Sequence, residues 1–487
     1  MGVENSREPI PISEWDWVWQ DTVHCGIFGT TGSGKSSIGE YLAETFFDAG
    51  EKVIDFFDEG RLENAFYRFP EDRSELVKVL KSFPVGKLKP RAFPCEVYFP
   101  RYCGKEVTRR VPEYFKPFTL PLSDLSTDDL KTLMGLRAHE WTFAGEAMID
   151  RALAEIEPED DFWVLIEKVV QGMKRGIIRF DDEEIPIGDR RSVFPLVRRL
   201  YELQQLGIIS SATDPRCIDF KKLLANKDQI TSFTVYQIAS IRVRYGIWAY
   251  LLRKLLDTKR VSVGLPRTVL FIREVRNLAP AKLGVFADAV YTRRNLARVA
   301  REGRDVSIRL LVDSQRFMDV DIDLRSQIEF LILLRIYWSD VQEATSSVFM
   351  DWSTQLKIQR LERGVGCFIG RGRYRYPVTL PVSLSKHKQE GEHLFQTCER
   401  YGVPLLTYRP ETVLGMSQRM VERVLTLKEM PEIFDASAYL DRNSMPEGTA
   451  FRILSEFARQ GLLERVEKGR YRIPTETQEL IAKVDST

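Results

Sequence analysis

The stretch from Val23 to Ile38, VHCGIFGTTGSGKSSI, constrains the fold of this chain more than any other. It contains the pattern G-x-x-x-x-G-K-[ST], which is typical of a loop that wraps a polyphosphate. An apolar run precedes the loop, and a helical pattern from Ser36 to Phe47 follows it. Because strand, loop and helix occur in the required order, the pattern predicts a nucleotide-binding α/β domain rather than a chance glycine turn.

Each residue type in this P-loop, residues 29–37, suits phosphate binding. Glycines allow the backbone N–H groups to turn inward through conformations that a Cβ would disfavour. Lys35 is predicted to reach the β and γ phosphates and Ser36 to place its hydroxyl on Mg²⁺. The first helical turn adds unpaired N–H groups and the positive end of the helix dipole. With ATP and Mg²⁺ as ligands, the predicted binding residues are Gly29, Thr30, Thr31, Gly32, Ser33, Gly34, Lys35, Ser36 and Ser37.

Composition limits the possible classes of protein. A length of 487 residues predicts several domains. The 71 basic and 70 acidic side chains nearly balance, so contacts with nucleic acid would need local basic patches. The six cysteines are scattered without a C-x-x-C pair, which favours a reducing compartment over a zinc module. No apolar run approaches the roughly 18 residues of a membrane span, so we expect a cytoplasmic protein without membrane insertion.

A second motif occurs in residues 267–280, where a β-branched apolar run ends in Glu274. This is the form of a Walker B strand, and Glu274 has the position that activates the attacking water. The preceding residue, normally an aspartate on the metal side, is Arg273. A guanidinium cannot accept hydrogen bonds from metal-bound water. Three interpretations stay open: Arg273 points away while Asp55 or Asp313 serves the metal, Arg273 contacts nucleotide, or the site binds ATP and hydrolyses it slowly.

Polar and basic residues follow the Walker B strand. Gln315 lies two residues after the predicted strand 308–313, at its carboxyl end, where it would sense the γ phosphate or orient water. The densest run of arginines lies in residues 291–304. Such a run usually forms a solvated helix face, but here it would also suit a nucleic-acid path or an arginine finger for a neighbouring subunit.

The remaining segments suggest an order of domains. Tryptophans alternate at positions 15, 17 and 19, which predicts a strand with one aromatic face. Helical patterns dominate residues 128–206, after a strand or hairpin near Cys95 to Phe99. The predicted units are residues 1–69 and 230–383 as the two parts of a RecA-like ATPase core, 70–229 as a mainly helical insertion, 384–414 as a connector and 415–487 as a winged-helix domain.

The C-terminal prediction depends on element order. Three helical patterns, residues 415–428, 435–440 and 446–460, precede a predicted hairpin in residues 462–473 with its turn at Lys468-Gly469. This order is typical of winged-helix modules, which bind DNA or dock proteins. The candidate DNA contacts are Arg452, Arg459, Lys468 and Arg470.

Four stretches in order resemble the HerA/FtsK superfamily of ring-forming, DNA-pumping ATPases, and within it the HerA branch. They are VHCGIFGTTGSGKSS, VLFIREVRNLAP, LARVAREGRDVSIRLLVDSQRFMDVDIDLRSQIEFLILLRI and GVGCFIGRGRYRYPVTLPV, within residues 21–60 and 230–383. The resemblance implies an α/β fold with a RecA-like core and a helical insertion, assembled as a hexamer around double-stranded DNA. It also implies that Glu274 activates water, that Gln315 is a polar sensor and that Arg301 or Arg304 acts in trans.

Two features depart from the family pattern. Arg273 replaces the metal-side aspartate, and the P-loop begins at Gly29, which leaves no room in this sequence for the β-barrel that usually precedes a HerA motor. We expect an ATP-driven hexameric motor that translocates double-stranded DNA. The alternative is an ATP-binding, weakly hydrolysing DNA-bound scaffold or regulator, including a platform for a nuclease partner.

Overall fold

The computed structural model describes most of the chain. The described residues are 16–56, 66–83, 88–100, 109–135, 142–175, 177–180, 183–186, 194–235, 238, 240–283, 289–386, 394–408, 423–424, 426–443, 447–459, 462–467, 469–475 and 477–478. Their helices are α1 (Asp16–Gln20), α2 (Lys35–Asp48), α3 (Ser74–Ser82), α4 (Thr127–Met134), α5 (Phe143–Ala154), α6 (Phe162–Arg175), α7 (Phe194–Leu206), α8 (Phe220–Ala225), α9 (Ile241–Val261), α10 (Val290–Glu302), α11 (Ile322–Arg325), α12 (Trp338–Ala344), α13 (Trp352–Ile358), α14 (Leu394–Arg400), α15 (Ala436–Asn443) and α16 (Glu447–Arg459).

The strands of the described residues come in one large sheet and several small ones. They are β1 (Cys25–Phe28), β2 (Lys52–Phe56), β3 (Cys95–Pro100), β4 (Arg109–Pro112), β5 (Phe115–Phe118), β6 (Leu120–Pro121), β7 (Ile177–Phe180), β8 (Glu183–Pro186), β9 (Ile209–Ser210), β10 (Ile230–Phe233), β11 (Thr268–Ile272), β12 (Ile308–Ser314), β13 (Phe330–Leu333), β14 (Val365–Gly370), β15 (Arg373–Thr379), β16 (Leu405–Tyr408), β17 (Ile433–Asp435), β18 (Glu464–Glu467) and β19 (Arg470–Arg472).

A ten-stranded sheet forms the centre of the molecule, in the order β15-β14-β13-β1-β12-β11-β2-β10-β3-β5. The strands from β13 to β5 run parallel, and β14 and β15 extend the β13 edge in antiparallel fashion. The predicted α/β class with a RecA-like P-loop core is confirmed. In this order β12 lies between the P-loop strand β1 and the Walker B strand β11.

Both faces of the central strands are covered, so their sequences are apolar at successive positions rather than alternate ones. On one face Ile27, Phe271 and Leu311 pack with apolar residues of α2. On the other face Phe28 and Ile272 join the core that includes Trp248 of α9. The two faces hold the strand ends in fixed positions, and the site is built at those ends.

Trp17 and Trp19 do not lie on a strand, so the predicted aromatic strand is wrong at these two positions, and Trp15 lies outside the described residues. Residues 16–20 form the short helix α1. The buried Arg309 of β12 donates hydrogen bonds to the carbonyl oxygens of Val18, at 2.7 Å, and Asp21, at 2.9 Å. Carbonyl groups at a helix C-terminus lack partners within the helix and favour a cation. One buried guanidinium, distant in sequence, therefore stabilises the helical form.

The predicted insertion is helical, but its first strand joins the central sheet. Helices α4, α5, α6 and α7 confirm the helical patterns of residues 128–206. The segment near Cys95 is the strand β3, which pairs in parallel with β10 and with β5. Part of residues 70–229 is thus continuous with the core sheet, while the domain limits themselves stay a prediction.

The C-terminal residues contain the predicted helices and hairpin where they are described, together with one strand that was not predicted. Strand β17 precedes α15 and α16, the hairpin of β18 and β19 follows them, and the three strands form a sheet of order β17-β19-β18. Most of the predicted helix 415–428 lies outside the described residues, as do Lys468 and the side chains of Arg452 and Arg459. Arg470 lies on β19, where its Nε is 3.2 Å from Asp435 Oδ1. The winged-helix assignment stays a prediction.

Among the described residues, no helix combines the length and apolar character that a membrane span requires.

Candidate nucleotide-binding site

The P-loop leaves the carboxyl end of β1 and leads into α2. Gly29 N donates to Ser314 O at 3.2 Å, and Thr30 N donates to Arg335 O at 2.8 Å. These bonds fix the start of the loop to the ends of the two strands that flank β1. In open parallel sheets, ligands bind at the carboxyl ends of the strands. The P-loop therefore occupies the expected edge.

Two glycines of the P-loop adopt conformations that side chains disfavour. Gly32 has a φ of 79° and Gly34 a φ of 102°, both in the left-handed region. Gly34 is also the N-cap residue of α2, and no side chain caps this helix. The first N–H groups of α2 thus stay available to an anion, which the positive end of the helix favours. The predicted need for glycine is confirmed at both positions.

The three predicted catalytic residues lie together, although they come from distant parts of the chain. Lys35 Nζ donates to Glu274 Oε1 at 2.7 Å and to Asp313 Oδ1 at 3.3 Å. Gln315 Nε2 donates to Glu274 Oε1 at 3.4 Å. Lys35, Glu274 and Asp313 are buried. Burial raises the pKa of Asp313, and the Lys35 ammonium opposes that rise.

Glu274 has a strained backbone. Its φ of 45° and ψ of 54° are left-handed, which costs on the order of 1–3 kcal/mol for a residue with a Cβ. Its N–H donates to Asp313 Oδ1 at 2.7 Å, which helps to hold this conformation. Its Oε2 is buried without a hydrogen-bond partner among the described residues, and the nearby Arg276 Nε lies 3.5 Å away. This oxygen is suitable to accept a hydrogen bond from water.

Arg273 points into a different set of buried side chains. Its Nε and Nη2 donate to the two carboxylate oxygens of Asp55, at 3.0 and 2.7 Å. Its Nη1 donates to Glu40 Oε1 at 2.6 Å, and its Nη2 donates to the Tyr67 hydroxyl at 3.1 Å. Burial alone would lower the pKa of Arg273, but Asp55, Tyr67 and Glu40 raise it well above its usual value. Arg273 therefore stays charged and is hydrogen-bonded to Asp55, Glu40 and Tyr67.

The arginines predicted to act in trans lie far from this cluster. Arg301 is exposed in the last turn of α10, and Arg304 forms an ion pair with Glu329. Both positions precede β12, and Glu329 precedes β13, so they lie at the amino ends of the strands. The P-loop lies at the opposite edge. Either arginine would need a second copy of the chain to approach a phosphate.

Sequence reasoning missed Arg335, which follows β13. Its Nε donates to the Thr30 hydroxyl at 3.3 Å, and its side chain is exposed beside the P-loop. The signal available in the sequence was an arginine directly after a short apolar run. That signal becomes informative only when β13 is known to lie beside β1.

The described residues offer no dedicated cage of protein ligands for a metal. They contain no group of three or more His, Cys, Asp or Glu side chains arranged to hold one. Mg²⁺ usually keeps several waters and takes its other ligands from phosphates and one or two protein groups. A P-loop serine with carboxylates nearby fits that mode of binding.

The family comparison matches the first part of the core. Residues 21–255 match the model of the HerA helicase central domain. These residues are similar to that domain. The resemblance to the HerA/FtsK superfamily of P-loop ATPases is thereby confirmed. The matched part includes the P-loop and ends within α9, before Glu274 and Gln315.

Solved structures show only distant likeness. The bacterial conjugative coupling protein TrwB is 12% identical, with a TM-score of 0.46 over 75% of this chain and 86% of that one. VirB4 of Thermoanaerobacter pseudethanolicus is 16% identical, with a TM-score of 0.45 over 76% and 90%. The genome packaging NTPase B204 of Sulfolobus turreted icosahedral virus 2 is 9% identical, with a TM-score of 0.32 over 73% and 96%. Likeness this weak carries no functional information for this chain. No curated protein sequence matches it.

Proposed function

We propose that this protein binds ATP with Mg²⁺ at the P-loop, hydrolyses it, and uses the energy to move double-stranded DNA through a hexamer. The observation that supports this most strongly is the contact of Lys35 with Glu274 and, through Glu274, with Gln315. A phosphate-binding lysine, a carboxylate and a polar sensor in one cluster are the parts that phosphoryl transfer to water requires. The similarity to the HerA central domain supports DNA as the substrate of movement.

In this proposal each residue of the cluster has a defined role. The N–H groups of the P-loop and the ammonium of Lys35 bind the β and γ phosphates, and the Ser36 hydroxyl contacts the metal. When bound, Mg²⁺ neutralises charge that develops on the phosphates. Glu274 orients the attacking water and accepts its proton, while Gln315 holds the water or the γ phosphate.

The contact between Lys35 and Glu274 also suggests how hydrolysis depends on bound ATP. Lys35 Nζ lies 2.7 Å from Glu274 Oε1 and donates a hydrogen bond to that oxygen. A triphosphate carries several negative charges and competes for the same ammonium. When Lys35 turns to the phosphates, Glu274 Oε1 loses this donor and can accept a hydrogen bond from water instead. The pair would then couple occupancy of the site to activation of water.

ATPase activity with and without long duplex DNA tests the proposed function. A DNA motor should hydrolyse ATP several-fold faster on the duplex, and the protein should form a hexamer with nucleotide present. Size-exclusion chromatography with light scattering measures the assembly under the same conditions. A protein that stays monomeric with every nucleotide and ignores duplex DNA contradicts the proposal.

The second candidate is an ATP-binding scaffold or regulator that hydrolyses slowly on DNA. Arg273 favours it, because a buried arginine occupies the sequence position of the metal-side aspartate. The same assay separates the two candidates, since a scaffold should bind DNA while its low ATPase rate stays flat. Isolation of the native complex would reveal a nuclease partner if the protein serves as its platform.

The position of Arg335 predicts a role in nucleotide binding. Arg335→Ala should weaken ATP affinity by about 10- to 100-fold, because hydrogen bonds to charged groups contribute about 1.5–3 kcal/mol. Titration with a fluorescent ATP analogue measures the change. Arg151→Ala is the matched control. It removes an exposed arginine of α5, which is paired with Glu155, and should bind the ATP analogue as wild type does. Normal affinity in Arg335→Ala would show that the side chain serves only Thr30.

A further inference from the structure

We infer that Asp313 performs the metal-side role that Arg273 cannot, holding the water shell of nucleotide-bound Mg²⁺ from the strand next to Walker B. The inference rests on the proposed function, since it assigns a residue to the same site. It decides among the interpretations that the sequence leaves open, because Arg273 is hydrogen-bonded to Asp55 and Glu40, whereas Asp313 contacts the P-loop lysine.

Strand register places Asp313 beside the position it replaces. Ile272 of β11 pairs with Val312 of β12, so the following residues, Arg273 and Asp313, lie level on neighbouring strands. Both side chains face α2, since Arg273 contacts Glu40 and Asp313 contacts Lys35 of that helix. Asp313 is also level with Ile27 of β1, one residue before the end of that strand. The carboxylate is thus shifted by one strand toward the P-loop.

Asp55, the other candidate carboxylate, is already paired with Arg273. Both of its carboxylate oxygens accept hydrogen bonds from Arg273, and its side chain is fully buried. It lies on β2, with β11 and β12 between it and the P-loop strand. A metal could recruit Asp55 only by taking from the buried guanidinium one of its two carboxylate partners, which is unfavourable.

Asp313 lies where a bound metal would benefit from it. Its Oδ1 accepts from Lys35 Nζ at 3.3 Å and from the Glu274 N–H at 2.7 Å. It therefore connects the phosphate-binding residue to the residue that activates water. In the general mechanism the Walker B aspartate holds Mg²⁺ together with the P-loop serine or threonine. Movement of Lys35 to a phosphate would remove one donor from Asp313 Oδ1, which could then accept a hydrogen bond from metal-bound water.

The test compares nucleotide affinity with and without metal. A fluorescent ADP analogue is titrated into wild-type protein and into Asp313→Asn, in Mg²⁺ and in EDTA. Wild-type affinity should rise by about 10-fold or more with Mg²⁺. Asp313→Asn should keep the affinity seen in EDTA and lose most of the gain from Mg²⁺, because an amide neither attracts the cation nor accepts as strongly from its waters.

Controls separate a metal role from a structural one. Asp340→Asn changes another buried aspartate, which accepts from Arg316 and from Met318 N, and should keep the full Mg²⁺ effect. Asp313→Ser retains an acceptor for the Glu274 N–H and should lose the Mg²⁺ effect as Asp313→Asn does. Thermal melting shows which variants are folded. The affinity of a folded Asp313→Asn or Asp313→Ser protein then reports on the site even if the other variant does not fold.

The outcomes distinguish this inference from the proposed function. Wild-type protein that binds no nucleotide in either buffer would overturn the proposed function. Wild-type protein that binds, together with a folded Asp313 variant that keeps the full gain from Mg²⁺, would overturn the assignment of Asp313 alone. Loss of affinity in EDTA as well would show that Asp313 shapes the P-loop rather than serving the metal.

Discussion

Glu274→Gln is expected to leave ATP bound while slowing its hydrolysis by about 10²- to 10⁴-fold, the usual contribution of a general base. The amide oxygen of glutamine can still accept from Lys35 and Gln315, which both donate to Glu274 Oε1. The amide cannot take a proton from water. The variant should therefore trap the protein with intact ATP at the site.

Single-turnover hydrolysis of radiolabelled ATP, with binding measured on the same sample, checks this expectation. Glu343→Gln is the matched control, since Glu343 is exposed on α12 and pairs only loosely with Arg325 at 3.5 Å. Lys35→Ala should behave differently from Glu274→Gln, because loss of the ammonium should abolish nucleotide binding itself. Unchanged turnover in Glu274→Gln would assign water activation to another residue.

The P-loop was predictable because its requirements are local. A positive φ at Gly32 and Gly34 demands glycine, and the helix that follows needs only its own apolar spacing. The meeting of Lys35 with Glu274 was predictable for a different reason. Each residue follows a recognisable strand, and parallel strands bring their carboxyl ends to one edge of a sheet.

The hydrogen-bond partners of the Arg273 side chain were not predictable from the Walker B motif alone. Its partners Glu40, Asp55 and Tyr67 come from α2, β2 and the segment after it, and only the folded sheet brings them together. Arg335 escaped notice for a similar reason, since its importance depends on β13 lying beside β1. Likewise, Arg309 overrides the alternating pattern at the N-terminus through contacts almost 300 positions away along the chain.

Two charge networks therefore divide the α2 face of the sheet. Arg273 neutralises Asp55 and Glu40 in the first, whereas Lys35 neutralises Glu274 and Asp313 in the second. The first has its charges enclosed by protein and contains no predicted phosphate-binding residue. In the second network, Lys35 can leave the two carboxylates and bind the phosphates of a nucleotide. Arg273 then has a stabilising role, and the chemistry depends on the second network.

This division predicts that Arg273→Asp will not restore an ordinary Walker B site. The change removes a guanidinium from two buried carboxylates and adds a third negative charge beside them. Removing one partner of a buried ion pair costs about 3–5 kcal/mol, so we expect a large fall in the melting temperature and no gain in ATPase rate. Differential scanning calorimetry and ATPase assays on the same preparation measure both.

Two further variants show whether the loss comes from these buried charges. Arg363→Asp makes the same replacement at an exposed position and should melt close to wild type. Arg273→Met removes the guanidinium without adding a carboxylate, so its loss of stability should be smaller than that of Arg273→Asp. The opposite result, a folded Arg273→Asp protein that hydrolyses ATP faster than wild type, would mean that Arg273 attenuates catalysis. In that case the metal-side position would belong to residue 273 after all, and Asp313 would have only a structural role.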